Sequence, residues 1–187
     1  MKRKLVLLLF ILFIISNVFA PTLLFYKTND EILTEIENVK IKYKLSELKN
    51  APFSLENLYN YLILLKADHR EIIMKQAIHE TGHFKSKLFR ENNNLFGMKM
   101  PQRRETTAVG SKNNYANYNH WTKSTDDYII LQQKWKNKYD NEVFNDGYKV
   151  LILAHYAEDC NYTRQLKRIK IPNYDNTSER ENSTVRS

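Results

Sequence analysis

Residues 79–83 read HETGH, a string whose residue types allow two different chemistries. In an H-E-x-x-H arrangement, two histidines four apart on a helix hold a zinc ion and the glutamate between them activates water. In the other reading Glu80 acts alone, protonating the oxygen that leaves a broken glycosidic bond. The zinc reading uses His79, Glu80 and His83 and requires a third protein ligand, because catalytic zinc has three such ligands and one open position. The residues after His83, FKSKLF, do not continue the pattern as H-x-x-G-x-x-H. Glu105, a downstream glutamate that could ligate, falls in a segment without helical periodicity. Gly82 weakens any helix that must run on through His83. Histidines near a helix C-terminus are also ordinary, since a cation there meets the negative end of the dipole. The expectation is therefore no metal and no cofactor, with a zinc metallopeptidase kept as an alternative.

The carboxylate reading rests on position. Ile73, Gln76, Ala77 and Glu80 share one face of a helix that the spacing predicts over about 69–81. A carboxyl group at the edge of an apolar surface has its pKa raised, because the charged form loses hydration. A general acid for glycoside cleavage needs this property, since it must hold its proton until the leaving oxygen takes it. An ordinary surface glutamate at a helix C-terminus would be disfavoured by the dipole. That misplacement points to function.

The elements that must position Glu80 are mostly helical. PFSLENLYNYLILLK offers Ser54 as an N-cap, Phe53 as a staple against Leu58, and an apolar stripe of Leu55, Leu58, Leu62 and Leu65. Ser124 is expected to cap a third helix with Tyr128, Leu131 and Trp135 as its stripe. Asp146 is expected to start a fourth, carrying Tyr148, Leu151, Ile152, His155 and Tyr156, with a short helix at 162–169 after it. Residues 90–120 are rich in Asn and read as loop plus a small hairpin, with Thr106, Thr107 and Val109 as the β-prone residues. The fold class is mainly α, a helical lobe with a small β-hairpin lobe making a cleft between them.

The termini differ from this body. Lys2, Arg3 and Lys4 precede an apolar run from Leu5 to Tyr26. At 1.5 Å rise per residue that run reaches roughly 33 Å, enough to cross a bilayer core. Residues 1–26 are read as an uncleaved N-terminal transmembrane anchor, placing the remainder outside the cytoplasm. Secretion after cleavage at Ala20 is the alternative. Residues 27–51 form a charged linking helix, 52–172 the globular domain, and 173–187 a polar, disordered tail. Lys and Arg number 29 against 21 Asp and Glu, a net charge of +8. This balance suits anionic or carbohydrate partners, and no nucleic-acid motif accompanies it. Cys160 is the only cysteine, which excludes an internal disulfide and a Cys-based zinc site.

AIHETGHFKSKLFRENNNLFGMK resembles the core signature of the bacterial peptidoglycan β-N-acetylglucosaminidases, glycoside hydrolase family 73, also described as mannosyl-glycoprotein endo-β-N-acetylglucosaminidase-like domains. The likeness runs through Ala77, Glu80, Gly82, Ser86 and Leu88, then Asn93, Asn94, Leu95, Phe96, Gly97 and Lys99. Two later blocks follow in family order: Tyr118, Trp121, Ser124 and Asp127, then Tyr156, Ala157, Asp159 and Tyr162. Phe84 and Phe89 stand where the family has Gly and Ala, so a bulkier loop after Glu80 is expected. The resemblance implies a lysozyme-like α+β fold and a peptidoglycan glycan strand as substrate, cut after N-acetylglucosamine by a cell-envelope enzyme acting as a monomer. It implies Glu80 as catalytic acid and Tyr118 beside the reacting sugar, with Asn94, Phe96, Trp121 and Tyr156 in the substrate site. Glu105 is the candidate base, unless the substrate's own acetamido group supplies the nucleophile. A non-catalytic glycan-binding module on the same fold is a further alternative.

Overall fold

The structure, a computed structural model, describes residues 28–174. The run from Leu5 to Tyr26 and residues 175–187 lie outside them. Among the described residues no helix is long and apolar enough to cross a membrane. The chain divides into two units between Lys44 and Leu45. Helix α1, Asn29–Leu48, begins in the first unit with a reciprocal cap. There the Glu31 carboxylate accepts from the Thr28 amide at 2.8 Å, and the Thr28 hydroxyl accepts from the Glu31 amide at 3.3 Å.

The second unit holds the other helices and one small sheet. Helix α2, Leu55–Leu64, starts as expected: the Ser54 hydroxyl accepts from the Asn57 amide, and Leu58, Tyr61 and Leu62 are buried. Phe53 sits in an aromatic cluster with Phe84, Phe89 and Trp121, at centroid distances of 4.7, 4.9 and 5.8 Å. The two phenylalanines that depart from the family pattern thus pack on the residue preceding Ser54.

Helix α3, Arg70–Glu80, is the central element. Six consecutive residues, Ile73 to Ile78, are buried, so this helix is covered on every face. Its buried polar groups are satisfied. Lys75 pairs with Glu71 at 2.6 Å, and Gln76 is hydrogen-bonded by two tyrosines. The helix stops at Glu80. Gly82, His83 and Phe84 all follow with left-handed φ, and the Thr81 hydroxyl donates back to the Ala77 carbonyl at 2.6 Å.

Helix α4, Lys87–Asn92, leads through a loop to the antiparallel pair β1, Gly110–Lys112, and β2, Tyr115–Asn117. The connecting Asn113 and Asn114 both take positive φ, the requirement of a two-residue turn that asparagine tolerates. The strands begin one residue beyond Val109, later than the β-prone threonines suggest. Asn94 ties the loop to the hairpin. Its amide donates to the Met98 and Ala116 carbonyls at 2.8 and 3.0 Å, and its oxygen accepts from the Phe96 and Met98 amides.

Helix α5, Trp121–Lys138, corrects one expectation. His120 caps it, accepting from the Thr122 amide, whereas Ser124 lies inside the first turn and accepts from the Leu95 amide at 3.0 Å. Ser124 serves a loop 29 residues earlier in the chain, a partner that local pattern does not reveal. Helix α6, Asn141–Asn145, was not expected. Helix α7, Gly147–Leu153, is capped by Asp146 as expected but ends before His155 and Tyr156. His155 is left-handed and Ile152 exposed, so the expected stripe breaks after Leu151. Helix α8, Tyr162–Arg168, follows, and beyond it Tyr174 stacks on Tyr59 at 5.1 Å.

The segment before β1 is fastened to α5 through Arg104. Its guanidinium donates to both oxygens of Asp127, which is fully buried and also accepts from the Tyr118 hydroxyl at 2.7 Å. Removing the cation strands a buried carboxylate. In denaturant titrations Arg104→Ala should therefore lose roughly 3 kcal/mol of stability. Arg103→Ala, at an exposed neighbour, should change it by less than about 0.5 kcal/mol.

Candidate active site

Glu80 lies on a groove of about 1010 Å³. Its walls come from the end of α3, the loop from Phe96 to Pro101, one face of α5, and the stretch from Ala154 to Asp159 with Tyr162. The Glu80 carboxyl is half-buried, and one oxygen, Oε1, accepts from the Tyr162 hydroxyl at 2.7 Å. Burial raises its pKa, and that effect outweighs the Tyr162 hydrogen bond and the nearby His79, both of which pull it down.

The hydrogen bonds behind Tyr162 have one direction. The Tyr128 hydroxyl donates to the Gln76 oxygen, and the Gln76 amide donates to the Tyr162 oxygen at 3.3 Å. With its oxygen receiving that proton, Tyr162 points its own at Glu80. Burial, and then Glu80 itself, push the Tyr162 pKa up, so the phenol stays a donor. Oε1 is thereby occupied by the phenol. Oε2 lies against Gly97, where an added Cβ would stand 2.7 Å from it and φ is +63°. Only glycine fits both the conformation and the approach.

Of the residues singled out in the sequence, the structure brings Glu80, Phe96 and Tyr156 onto the groove. The Phe96 ring itself is 1% exposed and packs on Tyr128 at 4.4 Å. Tyr156 donates to the Phe96 carbonyl at 2.7 Å. Asn94, Tyr118 and Trp121 are interior residues. Asn94 fixes the loop, Tyr118 bonds Asp127, and the Trp121 indole donates to the Ala51 carbonyl at 2.9 Å. Glu105 is exposed and is not among the residues lining the groove. Tyr162, Gln76 and Gly97 were not singled out as site residues. Tyr162 and Gly97 lay within the matched blocks, and Gln76 lay on the same predicted helix face as Glu80.

The zinc geometry does not form. His83 is exposed with left-handed backbone beyond the end of α3, so it is not one helical turn above His79. The His79 ring meets Tyr162 edge-on at 5.2 Å. Among the described residues no group of three or more His, Cys, Asp or Glu side chains is arranged to hold a metal ion.

A mainly helical body with a two-stranded antiparallel hairpin fits the lysozyme-like α+β fold, and in it Glu80 ends a buried helix with its pKa raised by burial. The family model described as Mannosyl-glycoprotein endo-beta-N-acetylglucosaminidase matches residues 62–175. The chain belongs to this Glucosaminidase family and is a glycoside hydrolase of the cell-wall type. No curated protein and no solved structure matches it.

Two substitutions probe the carboxyl's surroundings. Gly97→Ala forces Oε2 aside and should lower kcat/KM by about 10²-fold, with about 1–2 kcal/mol lost in thermal unfolding from the φ strain alone. Tyr162→Phe removes a hydrogen bond that lowers the Glu80 pKa, so the acid form persists to higher pH. The alkaline limb of its kcat/KM profile should move upward, with the maximum reduced about tenfold.

Proposed function

We propose that the protein hydrolyses the β-1,4 bond after N-acetylglucosamine in peptidoglycan glycan strands, with Glu80 as general acid. The observation that carries this reading is the half-buried Glu80 carboxyl on the groove wall. Burial raises its pKa, and a committed donor holds one of its oxygens. The proton on Oε2 passes to the glycosidic oxygen as the C1–O bond breaks. The resulting carboxylate then accepts a proton from the water that completes the reaction. Asn94, Tyr118 and Trp121 support the groove from behind in this scheme.

The attacking group is the substrate's own 2-acetamido oxygen, which closes on C1 as the bond opens. Among the described residues the other carboxylates lining the groove are Glu158 and Asp159. Asp159 already accepts from the Asn161 amide and the Gln165 side chain at 2.8 and 2.7 Å. Glu105 is assigned no base role on this geometry. The apolar run from Leu5 to Tyr26 is proposed to anchor the domain outside the cytoplasm. Cleavage after Ala20 would instead release it.

Purified peptidoglycan, digested and analysed for reducing ends by mass spectrometry, tests the scheme. Glu80→Gln should reduce the release of N-acetylglucosamine ends by about 10²–10⁴-fold. Unchanged release would rule out the acid role. Glu105→Gln should stay within roughly threefold of wild type, whereas a loss comparable to that of Glu80→Gln would give Glu105 the water-activating role.

A further inference from the structure

Residues Leu131, Lys134, Trp135 and Lys138 all line the groove, at the 0, +3, +4 and +7 positions of one face of α5. Lys134 and Lys138 are therefore two ammonium groups one turn apart, an arrangement that is repulsive on a helix. Lys99 lines the same groove. Among the described residues these three lysines form no ion pair, although lysines elsewhere do. Lys136, on another side of the same helix, pairs with Asp68 at 3.0 Å, and Lys123 pairs with Asp126 at 3.3 Å. Lys138 rests over the Tyr139 ring at 4.9 Å, a contact that leaves its charge uncancelled.

Among the described residues the other charged groups at the groove form no ion pair with this wall. Arg104 is neutralised by Asp127. Asp159 accepts from the neutral Asn161 amide and Gln165 side chain, which hold its carboxylate in place, and burial raises the Glu80 pKa. Glu158 is exposed and, among the described residues, pairs with none of these lysines. A strand of neutral sugars can accept hydrogen bonds from such a wall but leaves its charges uncancelled. A strand bearing carboxylates neutralises the repulsion and gains charge-assisted hydrogen bonds.

From this we infer that Lys134 and Lys138, with Lys99, form an anion subsite for carboxylates carried on the glycan strand, namely the lactyl group or the peptide attached to it. The inference rests on the hydrolase reading above and names the part of the substrate that this wall recognises. Neutral strands bind less tightly, and the discrimination lies in KM because the lysines hold a substituent away from the bond that breaks.

The test compares native peptidoglycan strands with strands whose carboxylates are converted to neutral methylamides, using the full chain. For the wild type, amidation should raise KM roughly five- to tenfold with kcat within about twofold, the range expected of two solvent-exposed charge contacts. In the Lys134→Gln/Lys138→Gln double variant KM on native strands should rise to the amidated value, so the ratio between substrates falls to about one. Lys136→Gln should keep the wild-type ratio. Raising ionic strength from about 0.05 to 0.3 M should erase the preference. Equal KM for both substrates in the wild type, or a preference that survives in the double variant, overturns the subsite. So does a preference abolished by stripping phosphodiester polymers from the strands but not by amidation, because the anion would then be phosphate. If neither substrate releases reducing ends, the hydrolase reading fails as well, a result distinct from cleavage without charge preference.

Discussion

A half-buried carboxyl group at the last residue of a buried helix is the constraint around which the domain is organised. Ionisation of Glu80 is opposed by burial, and the apolar packing that imposes this also forms the core: Ile73, Met74 and Ala77 of α3 are fully buried. The covering of α3 on all sides therefore has two consequences from one cause. It holds the body together through burial of apolar surface, and it raises the pKa of the group at its end.

The neighbouring parts are explained by their distance from that group. Tyr162 meets Glu80 across 82 residues of sequence, and the Gln76–Tyr128 bond behind it fixes which way the phenol points. Such a chain has value only when every member is satisfied, and here each is. Gly97 lets the loop backbone come against the other carboxyl oxygen, and Asn94 holds that loop in place through four hydrogen bonds. The Arg104–Asp127 pair fastens the segment before the hairpin to α5. Its position in the interior makes it sensitive to loss of either partner.

Much of this was legible locally. Ser54 and Asp146 cap helices because a short polar side chain before an apolar stripe satisfies the free amides of the first turn. The pattern failed where a side chain's partner is remote. Ser124 has the composition of a cap, yet its hydroxyl is used by the Leu95 amide while His120 caps α5. The stripe drawn through Leu151, His155 and Tyr156 ignored the left-handed turn at His155, which ends α7 and releases Tyr156 to bond the Phe96 carbonyl. The Glu-bearing string was found from its spacing. Its hydrogen-bond partner Tyr162 was not, because phenols in a helical stripe usually mark core.

The sequence by itself determined the helical character of the body, the position of Glu80 at a helix end, the Asn-rich segment that carries the hairpin, and the family likeness. All of these are written in residue types a few positions apart, where backbone geometry is fixed by neighbours. Only the tertiary structure decided that His83 leaves the helix, that Tyr118 and Trp121 are interior, that Tyr162 faces Glu80, and that Lys99, Lys134 and Lys138 share its groove. Those outcomes depend on which distant surfaces come together, and burial and hydrogen-bond direction exist only after they have done so.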